Sequence, residues 1–169
     1  KKIKRNPDRP LVENLDEFPN PDRSLIPYKK YLANKVYFTT VNSPVSTLFS
    51  SRGCPYNCVF CSTCKVWGRK WRGRSPENMV EEIESLMKDY GVREFSFMDD
   101  QFVGDKERIK QFCRLIIKKN LKITFIVPAG ISPSLIDEEV IDLMIKAGLY
   151  RICFSIDVGT NAARDFVRK

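Results

Sequence analysis

Three cysteines crowd one short run: Cys54, Cys58 and Cys61, in Ser51-Arg52-Gly53-Cys54-Pro55-Tyr56-Asn57-Cys58-Val59-Phe60-Cys61. Thiolates this close cannot converge from a regular strand, but a loop can wrap them around one metal centre. Iron–sulfur clusters are usually held by four Cys thiolates, and C-x3-C-x2-C supplies three. A [4Fe–4S] cluster held this way keeps one iron open, and an open coordination position is where metal sites do catalysis, as zinc enzymes show. Zinc itself is the weaker reading. It needs four tetrahedral ligands, typically from two separated pairs, whereas Cys58, Cys61 and Cys64 overlap in one run and the chain has no histidine. The missing histidine also excludes Ser-His and Cys-His catalysis within this chain. Cys64 is a candidate fourth thiolate, which would make the site an electron carrier, although ferredoxin-type runs space their ligands differently. Cys113 and Cys153 fall on apolar stretches and are expected in the core.

Around the cysteines the chain resembles the radical S-adenosylmethionine (radical SAM) family, whose signature is the C-x3-C-x2-C spacing; Phe60 before the third cysteine fits it too. Ser51-Arg52-Gly53-Cys54-Pro55-Tyr56 and Asp99-Asp100-Gln101-Phe102 look like the subgroup that carries a cobalamin-binding domain upstream. The resemblance covers roughly residues 46 to 160. It implies Cys54, Cys58 and Cys61 as metal ligands, S-adenosylmethionine as cofactor, and reductive cleavage to methionine and a 5′-deoxyadenosyl radical that abstracts hydrogen from a substrate the sequence does not name. It also implies a flavodoxin- or ferredoxin-like electron donor. Cobalamin, bound through a domain outside this chain, would add methyl transfer or cyclase-like chemistry. A non-catalytic electron carrier and an RNA-modifying, methylthiotransferase-like radical SAM protein are the alternatives.

Composition fits one domain of 169 residues, 43% hydrophobic, with 29 Lys and Arg against 21 Asp and Glu, a formal charge of +8. The cations are spread along the chain, so a nucleic-acid partner is the weaker reading. Six cysteines without a secretory signal point to a reducing, cytoplasmic compartment and metal use. No apolar run is long enough to span a bilayer.

The elements that must position the cysteines follow from periodicity. Residues 1–45 read as an extended linker or strap broken by prolines, with one strand over 36–41. Residues 46–169 read as the core domain. Strands are predicted at 46–50, 94–98, 122–127 and 150–156. The first helix is capped by Ser75 with Pro76 at its first position and closed by Gly91. Asp105 caps a second, with Ile109, Phe112, Cys113, Ile116 and Ile117 inward. Asp137 starts a third, with Val140, Ile141 and Met144 inward, and Thr160 caps a fourth. Strand–helix alternation predicts an α/β fold with parallel strands: part of a barrel or a doubly wound sheet. The resemblance selects a partial (β/α) barrel of the radical SAM type. Its four units are too few to close, so the core is expected to be C-terminally incomplete, and unable by itself to shield a radical.

In such folds the site forms at the C-terminal strand ends. The first end delivers the cysteines, the second Asp99 and Asp100, the third Pro128, Ala129 and Gly130, and the fourth Asp157 and Gly159. Relatives carry Gly-Gly-Glu where this chain has Asp99-Asp100-Gln101, so either Asp can take the cofactor's ammonium. They carry Glu before Ser-Gly where it has Asp157-Val158-Gly159, and an arginine where it has Gly130. The resemblance therefore makes Phe60, Asp99, Asp100, Asp157 and Gly159 candidate cofactor contacts, and no catalytic residue is assigned. The loop 65–74 mixes cations with Trp67 and Trp71, which reads as a lid beside the cluster in preference to a single-strand-binding surface.

Overall fold

A computed structural model describes residues 3–33 and 40–169. Four parallel strands form the main sheet: β1 (Val45–Leu48), β4 (Glu94–Phe97), β5 (Thr124–Ile131) and β6 (Leu149–Phe154). A second, two-stranded antiparallel pair is made by β2 (Ser51–Arg52) and β3 (Arg72–Gly73). The main sheet keeps chain order, β1-β4-β5-β6. A doubly wound sheet reverses order at a switch point; this one does not. The helices α3 (Pro76–Tyr90), α4 (Lys106–Lys118) and α5 (Glu138–Lys146) pack in sequence, each on the next. The architecture is thus a partial barrel.

Each long helix begins where a side chain can satisfy its free N–H groups. Ser75, Asp105 and Asp137 accept from the N–H of Asn78, Arg108 and Val140. Gly91 closes α3 in the left-handed region, at φ 67°. On the helix-covered side of the sheet, Phe97 and Phe125 meet Phe112 of α4 and Phe102, with edge or tilted ring contacts at 4.6–6.5 Å. Such pairs add about 0.5–1.5 kcal/mol each beyond area burial.

The opposite face of β4 presents Glu94 and Ser96, both fully buried. Glu94 closes the N-terminal end of the sheet. Its carboxylate accepts from the N–H groups of Val41 (3.0 Å) and Asn42 (2.7 Å), from Thr124 Oγ1 (3.2 Å) and from Tyr150 Oη (2.6 Å). One side chain so joins the entering segment to three strands. Upstream, the strap lies on the core. Asp16 accepts from the Ser75 N–H at 2.9 Å, Arg23 pairs with Glu82 at 2.6 Å, and the Tyr28 and Ser46 hydroxyls share a 2.6 Å bond. Short helices punctuate it, including α1 (Tyr28–Ala33).

Several expectations are corrected. The third strand runs on to Ile131, so Pro128, Ala129 and Gly130 lie within β5 and not beyond it. Pro128 is tolerated because the β5–β6 register shifts between Val127 and Ile131, where the missing N–H leaves no ladder bond broken. The fourth strand ends at Phe154, short of 156. Ile117 is 43% exposed on α4, and Cys153 is exposed instead of buried. Of the strand predicted over 36–41, residues 36–39 lie outside the described residues, and Thr40 and Val41 are not in a strand. The β2–β3 pair was not predicted, because two-residue strands carry no periodicity.

Candidate functional site

Where β1 ends, the chain leaves the sheet and makes the cysteine loop. The loop is rooted by a buried network. Asp99, at the end of β4, is 1% exposed. Its carboxylate accepts from the Ser50 N–H (3.0 Å), the Ser50 hydroxyl (2.8 Å) and the Ser51 hydroxyl (2.5 Å). Arg108 of α4 donates to the carbonyls of Ser50 (2.7 Å) and Arg74 (2.6 Å), and its guanidinium lies over the Trp71 ring at 5.4 Å. The Arg74 N–H in turn donates to the Ser50 carbonyl at 2.8 Å, so the outgoing and returning chains cross at one clamp. Burial raises the Asp99 carboxyl above its ordinary value, and burial lowers the Arg108 guanidinium to about 10, still charged at neutral pH.

From this root β2 and β3 pair, Ser51 with Gly73 and Arg52 with Arg72, and the excursion between them holds the cysteines. Gly53 allows the turn. Its φ is +86°, and a Cβ there would stand 2.3 Å from the Lys70 carbonyl oxygen, so only glycine fits. The Cys61 N–H donates to the Cys58 carbonyl at 3.2 Å, and the short helix α2 (Thr63–Val66) follows.

Cys54, Cys58 and Cys61 are free thiols that line one cavity with Phe60, Asp100 and Asp157. The cavity wall also includes Gly130, Gln101 and Ser155. Residues from all four strand ends therefore meet there. Asp99 and Gly159 do not line it: Asp99 is engaged with the serines, and Gly159 is exposed with open space around it. Asp100 instead faces the cavity, where Thr63 Oγ1 donates to it at 3.3 Å. Asp157 is ion-paired with Lys169. Cys64 is half-buried on α2 and is not part of the cavity wall.

The electrostatics of the site discourage an isolated thiolate at Cys54. The Cys54 thiol is pushed up by burial, and further by the nearby Cys61, Cys58 and Asp100. A bound metal centre would have to displace its proton. Among the described residues no three His, Cys, Asp or Glu side chains gather tightly around a single ion. A cluster has a different requirement, because each thiolate takes a separate iron atom. Three free cysteines on one wall, two of them near enough to help raise the Cys54 thiol, fit that donor set. Next to this cavity lies a larger one of 510 Å³ that shares Tyr56, Ser132, Ser155, Asp157 and Lys169 with it. Its size falls in the range of small-molecule sites, about 300–1,000 Å³.

Sequence reasoning missed Gln101, Thr63, Tyr56, Ser132 and Ser155. Gln101 was within the quoted Asp-Asp-Gln-Phe run, but nothing in the run says that its side chain is buried with an unpartnered Oε1. Ser155 could be found only from its neighbour: a Cβ on Gly130 would lie 1.8 Å from Ser155 Oγ, so Gly130 leaves the space that Ser155 occupies.

Residues 48–169 match the sequence model of the Radical SAM superfamily. An uncharacterized methyltransferase of Pyrococcus horikoshii is 34% identical over 168 residues, 99% of this chain and 35% of the relative. The anaerobic magnesium-protoporphyrin IX monomethyl ester cyclase of Rubrivivax gelatinosus is 30% identical over 99% of this chain and 29% of its own length. The chain thus spans about a third of the length of these curated relatives. Among solved structures, the radical S-adenosylmethionine methyltransferase TsrM of Kitasatospora setae, with a tryptophan substrate and a cofactor analogue, superposes with a TM-score of 0.65 at 23% identity. The match covers 71% of this chain and 23% of that one. No helix among the described residues is long and apolar enough to cross a membrane.

Proposed function

The chain belongs to the Radical SAM superfamily, and from that premise we propose that it is the cluster-bearing part of an enzyme that cleaves S-adenosylmethionine reductively. The observation that carries this reading is the common cavity of Cys54, Cys58 and Cys61 at the C-terminal edge of a parallel partial barrel. Cys54, Cys58 and Cys61 would hold a [4Fe–4S] cluster there, and the cluster would supply the electron for reductive cleavage of a carbon–sulfur bond of the cofactor.

The protein's own part is to bind and orient. The Asp99–Ser50–Ser51 network and Arg108 fix the root of the loop, so the three thiols are presented from a rigid base. Asp100, held by Thr63, offers a carboxylate to the cofactor's ammonium. Phe60 and Asp157 complete the wall beside it. The adjoining cavity, which ends on Ile156 and Val158, offers apolar surface and the hydroxyls of Ser132 and Ser134 to the rest of the ligand. Gly159, on the same terminal loop, belongs to this ligand side only through the resemblance.

The names of the relatives support a reading of what the radical does. Two are a methyltransferase and a cyclase by name, and TsrM is a methyltransferase for which cobalamin and a [4Fe–4S] cluster are described. We read methyl transfer assisted by cobalamin, bound through a further domain, as the first choice and a cyclase-like reaction as the second. The strap up to residue 45 is then the connection to that domain, and residues from 46 onward the radical SAM core. A flavodoxin- or ferredoxin-like protein in the cytoplasm supplies the electron.

Anaerobic reconstitution with iron and sulfide tests the reading. The expected product has a [4Fe–4S] absorption and electron paramagnetic resonance signature that changes when S-adenosylmethionine is added. Incorporation of zinc in place of iron, or a cluster indifferent to S-adenosylmethionine, refutes it.

A further inference from the structure

The wall of the cysteine cavity is rich in acid and poor in base. Besides the three thiols it holds the carboxylates of Asp100 and Asp157, and among the described residues its one cation is Lys169. A built turn puts Lys169 there. The helix α6 (Asn161–Val167) gives way to Arg168, whose φ of 56° and ψ of 49° reverse the chain. The Arg168 N–H donates to the Asp165 carbonyl at 3.2 Å and the Lys169 N–H to the Arg164 carbonyl at 3.1 Å, which closes the helix. The Val167 carbonyl accepts from the Val59 N–H at 3.1 Å, so the end of α6 is tied to the cysteine loop itself. From this anchored turn the Lys169 side chain reaches the cavity wall, pairs with Asp157 and is only 16% exposed.

An ammonium carries three donors. Asp157 is the one side-chain partner of the Lys169 ammonium among the described residues, so donors remain for a ligand. Lys169 also borders the adjoining 510 Å³ cavity, and thus stands on the wall that the two cavities share. A ligand carboxylate entering beside Asp100 and Asp157 alone would be repelled, and in a half-enclosed cavity that repulsion is poorly screened. With Lys169 in place the wall offers both signs. An α-ammonium finds the Asp100 carboxylate, and the carboxylate on the same carbon finds the Lys169 ammonium.

We propose that Lys169 binds the carboxylate of an α-amino-acid headgroup in this cavity, with Asp157 as the positioning residue that holds the ammonium ready. This rests on the reading of S-adenosylmethionine as the ligand, and adds a specificity determinant to it: the site selects ligands that carry the carboxylate. Stability is a poor reason for the pair. The Asp157 side chain is 42% exposed, and ion pairs open to solvent contribute little to folding. A merely structural pair and a carboxylate-binding one separate in ligand selectivity.

The test measures equilibrium binding of S-adenosylmethionine and of its decarboxylated form to the reconstituted chain by dialysis. The ratio of the two Kd values reports the preference for the carboxylate. Lys169→Gln should lower that preference about tenfold, the effect of one lost charge-assisted contact, and Lys169→Arg should keep most of it. Arg168→Gln removes an equal charge from the neighbouring side chain, which is exposed and outside the cavity wall, and should leave the preference unchanged. Equal loss of affinity for both ligands in Lys169→Gln overturns the proposal, because Lys169 then acts through structure alone. The same fall in preference on Arg168→Gln also overturns it, because a long-range field then suffices. So does equal binding of the two ligands by the wild type, a comparison that needs no variant. A wild-type chain that assembles no cluster, or that binds neither ligand, refutes the S-adenosylmethionine reading itself, and the proposal falls with it.

Discussion

Replacing Asp99 probes whether the cysteine loop is held by the network at its root. The carboxylate receives three donors: the Ser50 N–H, the Ser50 hydroxyl and the Ser51 hydroxyl. A hydrogen bond to a charged group is worth about 1.5–3 kcal/mol net. Against this stands the cost of burying the charge, which is several kcal/mol. Asp99→Ala removes the acceptor and leaves the donors in a buried site, at about 1–3 kcal/mol for each that finds no new partner. Ser51 Oγ has one, the Gln101 carbonyl at 3.3 Å. The expected loss is about 3–5 kcal/mol, a large part of the 5–15 kcal/mol that holds a typical domain together. Asp99→Asn keeps the volume and one acceptor oxygen, and the serine hydroxyls can turn to accept from its NH2 group, so about 1–2 kcal/mol is expected. The pH dependence has a definite sign. Burial raises the Asp99 carboxyl above the ordinary 3.8. Between that value and the raised native one, the native state binds more protons than the unfolded state, so this group's contribution falls as pH rises. The wild-type advantage over Asp99→Asn should therefore shrink as pH rises through the native value. Urea unfolding, with midpoint and slope fitted at each pH, measures it, and iron bound per chain after reconstitution reports the loop. An Asp99→Ala variant within about 1 kcal/mol of wild type, or an advantage that grows with pH, would falsify this account.

Cys64→Ala should keep its reconstituted cluster, whereas Cys54→Ala, Cys58→Ala or Cys61→Ala should each lose most bound iron; iron and sulfide analysis distinguishes them, and cluster loss on Cys64→Ala would restore the electron-carrier reading. Gly130→Ala should destabilise the fold by about 1–3 kcal/mol through overpacking against Ser155, and Ser155→Ala should recover part of that, since the 1.8 Å contact is with its Oγ; thermal unfolding of the single and double variants checks this, and equal losses with and without Ser155→Ala would show the clash to be elsewhere. In the metal-free native chain at neutral pH, iodoacetamide should spare Cys113, whose thiol burial pushes up to about 12, and modify the exposed Cys153; peptide mapping that found Cys113 labelled first would contradict its burial.

The chemistry-bearing residues were legible because covalent spacing alone limits what three cysteines in one run can bind. Helix starts were legible too, since Ser75, Asp105, Asp137 and Thr160 each cap their own helix through a contact only three residues away. Strand ends were less so. Pro128 reads as a terminator, yet β5 continues past it, because a register shift against β6 removes the need for its N–H; that partner is fixed only when the sheet forms. Cys153 sits on an apolar stretch, but which face of β6 is covered depends on what packs against the sheet, and there it is exposed. The sharpest division falls between neighbours. Asp99 and Asp100 are equivalent in the sequence. Alternation along the backbone sends their carboxylates to different surroundings, Asp99 to serines forty-eight and forty-nine positions away and Asp100 to Thr63 and the cysteine cavity. Residue type and spacing determined that one loop offers three thiols to a common cavity. Which carboxylate faces it was decided by long-range packing, whose free energy depends on contacts that no local pattern encodes.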